Sequence, residues 1–317
     1  MSKRWLVVLA AVFSTVLTAH GQGPFIVVDQ RLYSGRPDPQ IIVTDTSNPN
    51  ISTLRSFLEN LPAAPPPNWP YLGSRGYDLQ NEGVSNFPAD IIVFQGTIQE
   101  ESSNHQLAYF QDVNGLENFL NGFFPPPASH DNRPEVTETL SGTWLNIIGI
   151  FLPTNGYEPP FNPGFWNNNF NDRRCNNCYN YGVNKKNNRF AQPGRAGGQE
   201  YTMFTCPNVL AAAIRDGLIP WVANVPCSNY DYKVALVVEP GVDFHWYRQD
   251  QGGNWSHKRG GSPAKNVDEA GAPITDPRTA DRDGYTDFCA FMCVLANPNL
   301  VHVDGPGRPG CPLLPPN

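Results

Sequence analysis

The sequence predicts an α+β fold: a small N-terminal α/β unit followed by a disulfide-containing, loop-rich α+β domain. Three observations lead there. Short β-branched runs alternate with helical spacing over the first 124 residues. All seven cysteines fall between Cys175 and Cys311. Twenty-eight glycines and 32 prolines punctuate the chain, above ordinary usage but below that of a low-complexity sequence.

The N-terminus reads MSKRWLVVLAAVFSTVLTAHGQG. A basic start, an apolar run and small residues before Gln22 match the plan of a secretory signal peptide over residues 1–21. The apolar run is shorter than the roughly 20 residues of a membrane span, and no later segment is long and apolar enough. The expected mature chain is exported, with no membrane span. Removing residues 1–21 takes away Lys3 and Arg4, so a net charge of −7 becomes −9. An acidic chain without a basic run argues against nucleic acid as a partner. Peptide, cell-wall and glycan partners stay open.

Residues 22–124 form the N-terminal unit. FIVV (25–28), QIIVT (40–44) and PADIIVFQGTI (88–98) read as strands. Leu54, Phe57, Leu58 and Leu61 recur at helical spacing, with Ser52 or Thr53 as cap and prolines from Pro62 onward as the stop. Leu116, Phe119, Leu120 and Phe123 repeat the pattern. No catalytic constellation is visible in this unit; Asp45, Asp78 and Asp112 read as turn and cap residues, and His105 and His130 as solvated side chains. Residues 125–142 read as a linker and 143–153 as a strand opening the Cys-rich domain, 143–317. The aromatic, Asn-rich stretch 155–174 reads as loop, either tucked onto the surface or forming a glycan platform. Asn50-Ile51-Ser52 and Asn254-Trp255-Ser256 are glycosylation sequons.

Seven cysteines cannot all pair within one chain. Cys175 and Cys178 form C-x-x-C, which admits three readings. One is a redox disulfide. The second is a zinc site shared with Cys289 and Cys293, which lie i, i+4 in an apolar run suited to one helix face. The third has Cys175 bridged elsewhere and Cys178 free. The third fits best, because Asn176 or Asn177 can cap a short helix that places Cys178 in its first turn, where a thiolate is favoured.

A cysteine nucleophile needs a base. Residues 233–261 supply two histidines. KVALVV is a buried strand, DFHWYRQ a second strand alternating in period 2, DQGGN a turn and NWSHKR the return. A symmetric hairpin centred on Gln251 sets His245 opposite His257, with Asp243 on the same face. The pair can polarise one another or bind a metal with a carboxylate. In the acidic loop 266–288, Asp268 or Asp276 is a further candidate to orient a histidine. The loop lacks calcium-ligand spacing.

The order of NNCYNYG at a helix start and histidine on a following strand resembles the papain-like superfamily, in particular its NlpC/P60 and CHAP branch. The resemblance covers residues 170–290 and implies Cys178 as nucleophile, His245 as base and His257 as orienting group, in a papain-like fold. It implies a secreted cysteine peptidase or amidase acting on a peptide or cell-wall amide, with no cofactor and no metal. Two alternatives stand beside it: a non-enzymatic secreted module that binds glycan or protein, and a histidine-based metal-binding protein.

Overall fold

A computed structural model describes residues 23–67, 76–104, 106–124, 157–228, 231–295 and 300–314. The expected leader, the linker and the strand at 143–153 lie outside these residues, as do His105 and His130. Among the described residues no helix is long and apolar enough to cross a membrane.

The fold is α+β, built on two six-stranded sheets that are antiparallel throughout. The first has the order β2-β1-β3-β4-β5-β6, from β1 (Phe25–Gln30), β2 (Gln40–Val43), β3 (Tyr77–Glu82), β4 (Asp90–Phe94), β5 (Thr97–Glu101) and β6 (Leu107–Gln111). Helices α1 (Ile51–Phe57) and α2 (Leu116–Asn121) sit against it. Asn50 caps α1 by accepting from the Thr53 N–H. The apolar run 88–98 is two strands rather than one. Gln95 and Gly96 both take positive φ, and the chain reverses there into a hairpin. β3 and β6 were not anticipated: their sequences, YDLQNE and LAYFQ, are too polar or too short to stand out.

Alternation gives this sheet two unlike faces. Ile26, Val28, Leu79, Ile91, Val93 and Ile98 turn to the helices and form one core with Leu54, Leu116 and Leu120. The intervening residues Asp29, Asp78, Gln80, Asp90 and Glu101 are buried on the other face. There they meet cations from later in the chain. Arg308 pairs with Asp29 at 2.8 Å, Arg173 with Asp90 at 2.9 Å and Glu101 at 3.1 Å, and Arg174 with Glu82 at 2.6 Å.

The second sheet has the order β11-β10-β9-β8-β12-β7, from β7 (Ile219–Trp221), β8 (Tyr232–Glu239), β9 (Asp243–Gln249), β10 (Trp255–Lys258), β11 (Ala264–Lys265) and β12 (Asp287–Val294). The stretch 155–174 is not all loop. It contains α3 (Pro163–Asn167) and α4 (Phe170–Cys175), started by Asn162 and Asn169 as side-chain caps. Helices α5 (Cys178–Gly182) and α6 (Cys206–Arg215) cover one face of β8 and β9 through Tyr179, Val209, Ala213, Val234, Leu236, Phe244 and Trp246. The loop after β11 covers the other face through Ile274 and Tyr285, against Val237, Tyr247 and Trp255.

Cys289 and Cys293 lie on strand β12, not on a helix. The run fits either period; pairing to β8 makes it a strand, with the register shifting at Cys289. Three disulfides close the domain: Cys175–Cys311, Cys206–Cys289 and Cys227–Cys293. These bridges consume the cysteines that the zinc and redox readings of C-x-x-C required. Cys178 is the free one.

Candidate functional site

The stretch around Cys178 is polar in sequence and buried in the fold. Asn176, Asn177, Asn180 and Cys178 are all fully inaccessible. Their amides make burial tolerable by bonding to one another and to the main chain. Asn177 caps α5, its Oδ1 accepting from the N–H groups of Tyr179 and Asn180 at 3.1 Å each. Asn180 returns the bond to the Asn177 N–H at 3.0 Å and accepts from Ala191 N–H at 3.1 Å. Lys258, also buried, donates to the carbonyls of Arg173, Asn176 and Gly260 and ties the α4–α5 corner to β10. Burial pushes its pKa well below the usual lysine value.

Cys178 thus heads α5, as its helix cap predicts, but it is not a thiolate. Removal from water pushes its pKa up, and the Asp243 carboxylate adds to this. A hydrogen bond with the Ser34 side chain and the charge of Lys258 work the other way without reversing the outcome. A five-residue helix with a filled capping box offers too little to hold the charge. The thiol lies 3.9 Å from the Phe244 carbonyl.

His245 and His257 are brought together, in a register other than the symmetric one. Tyr247, not His245, stands opposite His257. The turn is centred one residue later, so the pairing shifts by two residues, which preserves the face. The histidines become diagonal neighbours, and His245 Nε2 lies 2.7 Å from His257 Nδ1. Their box is completed by Tyr247, stacked on His257, and by Tyr285. Phe244 and Trp246 face α5, so His245 is on the side of β9 away from it.

One acceptor sets every proton in this chain. His257 Nε2 is 3.0 Å from the Val267 carbonyl, which can only accept. His257 Nδ1 therefore accepts from His245 Nε2–H. His245 Nδ1 in turn accepts from the Ser34 hydroxyl at 2.5 Å. Both rings are neutral. Burial holds His257 down to about 3, and burial together with His257 holds His245 well below its usual value. All four ring nitrogens are engaged, leaving no lone pair for a metal. Among the described residues no group of three or more His, Cys, Asp or Glu side chains is placed to hold one.

The orienting carboxylates expected near the histidines are used elsewhere. Asp243 accepts from the N–H groups of Ser34, Gly35 and Arg36 at 2.6, 3.1 and 3.0 Å, and from the Tyr285 hydroxyl at 2.6 Å. Asp268 closes its own loop through the N–H groups of Ala270, Ala272 and Asp281. Asp276 pairs with Arg278.

Ser34 is the site residue that sequence reasoning missed. It comes from the N-terminal unit, which looked free of chemistry, and stands between Cys178 and His245. No local pattern marks it, because its role arises from contacts more than 200 residues away. Gln192 was missed likewise: its Nε2 donates to the Gly35 carbonyl at 2.9 Å. Ser34, Cys178, His245 and His257 are each at most 2% exposed. A cleft of about 420 Å³ opens elsewhere, between Lys185, Lys186, Arg189, Arg195, His302 and Asp304.

No family model and no solved structure matches the chain. Among curated proteins, insoluble matrix shell protein 1 of Ruditapes philippinarum is 48% identical over 134 residues, which are 42% of this chain and 88% of that relative. With nearly the whole relative aligned at that identity, the chain belongs to the family of insoluble matrix shell protein 1.

Proposed function

We propose that the protein is a secreted, non-enzymatic component of an insoluble extracellular matrix, where it binds protein or glycan. The observation that carries this reading is the closure of the Cys178–His245 region, a neutral buried thiol beside two neutral buried imidazoles. Such a site has no reacting charge and no entrance. Kinship with a protein named for an insoluble shell matrix points the same way. Three disulfides over a loop-rich domain suit a protein that must persist outside the cell. The test is fractionation of the source's extracellular matrix with detergent and reductant. The protein is expected to stay with the insoluble residue until the matrix itself is dissolved. Recovery only as a free secreted species sinks the reading.

A second reading keeps the peptidase or amidase. It is favoured by Cys178 at the start of a capped helix, with His245 and His257 in a proton chain around the edge of β9. In that reaction the Cys178 sulfur bonds to the substrate carbonyl carbon as its proton passes to His245. The C–N bond then breaks and the amine leaves with that proton. Water releases the acid from the thioester. The closed form described above does not perform these steps. The test is turnover of peptide and cell-wall amides: activity lost in Cys178→Ser supports the reading, and activity unchanged in that variant overturns it.

A further inference from the structure

The segment Tyr33-Ser34-Gly35-Arg36 belongs to the N-terminal half, yet most of its hydrogen bonds run to the C-terminal half. Asp243 takes three successive N–H groups. The Ser34 carbonyl accepts from Gly260 N–H at 3.1 Å. The Gly35 carbonyl sits between two side-chain amides, Asn177 Nδ2 at 2.7 Å and Gln192 Nε2 at 2.9 Å. The β9–β10 ladder ends at Tyr247 and His257, and the segment lies against the part of β9 beyond it.

Two side chains, Ser34 and Arg36, also bond to the C-terminal half. The Ser34 hydroxyl donates to His245. Gly35 lies under the Phe244 ring, where any Cβ would collide with it. Arg36 donates to the Val242 carbonyl at 3.2 Å and lies 4.1 Å over the Tyr33 ring. A cleft of about 20 Å³ borders the segment, between Arg31, Tyr33, Asp38, Arg259 and Ser262, which is room for a water but not for a peptide.

Residues 34–36 are bent, their successive N–H groups wrapped around one carboxylate as a nest, while the Ser34 and Gly35 carbonyls and the Ser34 hydroxyl also bond to the C-terminal half. We infer that residues 33–36 occupy a peptide-recognition groove of the C-terminal domain in cis, that the groove selects a Ser-Gly-Arg sequence, and that the segment is what shields Cys178. This goes beyond both readings above and does not depend on turnover, because displacing the segment also takes Ser34 from between Cys178 and His245. The two-amide cradle on the Gly35 carbonyl, beside Cys178, is where a bound peptide would present its own carbonyl.

Gly35→Ala is the direct test, because the added Cβ cannot seat under Phe244. The readout is alkylation of Cys178 by N-ethylmaleimide at pH 8, followed by peptide mass mapping, on full-length protein with its disulfides intact. The variant is expected to react at least tenfold faster than wild type while retaining a cooperative thermal transition. The peptide acetyl-Tyr-Ser-Gly-Arg-Pro-amide at millimolar concentration should slow that reaction at least threefold, and its Ala-for-Gly analogue should not. Arg36→Ala, which disturbs no packing under Phe244, should give a smaller increase and serves if Gly35→Ala fails to fold. Unchanged protection in both variants overturns the shielding role. Fast alkylation that neither peptide slows overturns the recognition groove. Fast, peptide-sensitive alkylation without amide turnover supports the groove and counts against the peptidase alone.

Discussion

At the scale of single residues, the hydrogen-bonded line Ser34–His245–His257–Val267 links stability to pH. His257 is held at about 3 in the fold against an ordinary 6.5. Below pH 6.5 the unfolded chain takes up a proton that the folded one refuses. The contribution of neutral His257 is therefore complete above 6.5 and lost as pH falls toward 3. His257→Gln keeps an acceptor for His245 and a donor for Val267 but does not titrate. The wild type's stability relative to this variant should shrink by about 2 kcal/mol between pH 7 and 5, measured by urea unfolding. No narrowing would mean that His257 is protonated in the fold. The buried asparagines make a second prediction. Asn177→Ala removes the α5 cap and takes from the Gly35 and Ala191 carbonyls one of their two amide donors, leaving only Gln192 Nε2. It should cost about 2–4 kcal/mol in the same assay, more than an ordinary cap deletion. The cap itself was legible, because Asn before a short run is a local signal. That the Asn-rich stretch is core was not, since its polarity is satisfied by partners that only the folded chain supplies.

At the scale of elements, legibility follows how local the cause is. The β8–β9–β10 run was readable because strand alternation and the DQGGN turn lie within 30 residues of one another. Its register was off by two residues, since the turn type depends on the positive φ of Gly252 and Gly253 rather than on symmetry. β12 was misread as helix because FCAFMCVL fits both periods and only pairing to β8 separates them. The disulfides act on these elements unequally. Cys175–Cys311 spans 136 residues and holds the C-terminal stretch carrying Arg308, whereas Cys227–Cys293 spans 66. Closing the longer loop removes more freedom from the unfolded chain, about 5 against about 4 kcal/mol. The double variant Cys175→Ala with Cys311→Ala should also loosen Arg308 from Asp29, so its thermal midpoint should fall further than that of Cys227→Ala with Cys293→Ala. Equal losses would mean that the C-terminal stretch is anchored without its bridge.

At the scale of the whole molecule, two sheets with separate apolar cores meet through charge rather than through oil. The N-terminal sheet spends its apolar face on α1 and α2 and offers acids to the rest of the chain. Arg173 answers two of them, Asp90 and Glu101, while only 16% of its side chain stays exposed. Desolvation and the nearby Asp78 push Asp90 well up in pKa, and Arg173 opposes this. Removing the guanidinium would take the charge that answers both carboxyls in a buried face, at a cost of about 3–5 kcal/mol. That loss falls on the contact between the halves, not on either core. Arg173→Met should therefore weaken the docking that holds residues 33–36 over Cys178 while each sheet stays folded. Calorimetry should resolve two transitions where the wild type shows one, and Cys178 should alkylate faster. Asp90→Asn with Glu101→Gln in the same chain removes the two acids that Arg173 answered and should recover much of the lost stability. A single transition in Arg173→Met, lowered but still cooperative, would mean that the halves are joined by more than this charged face.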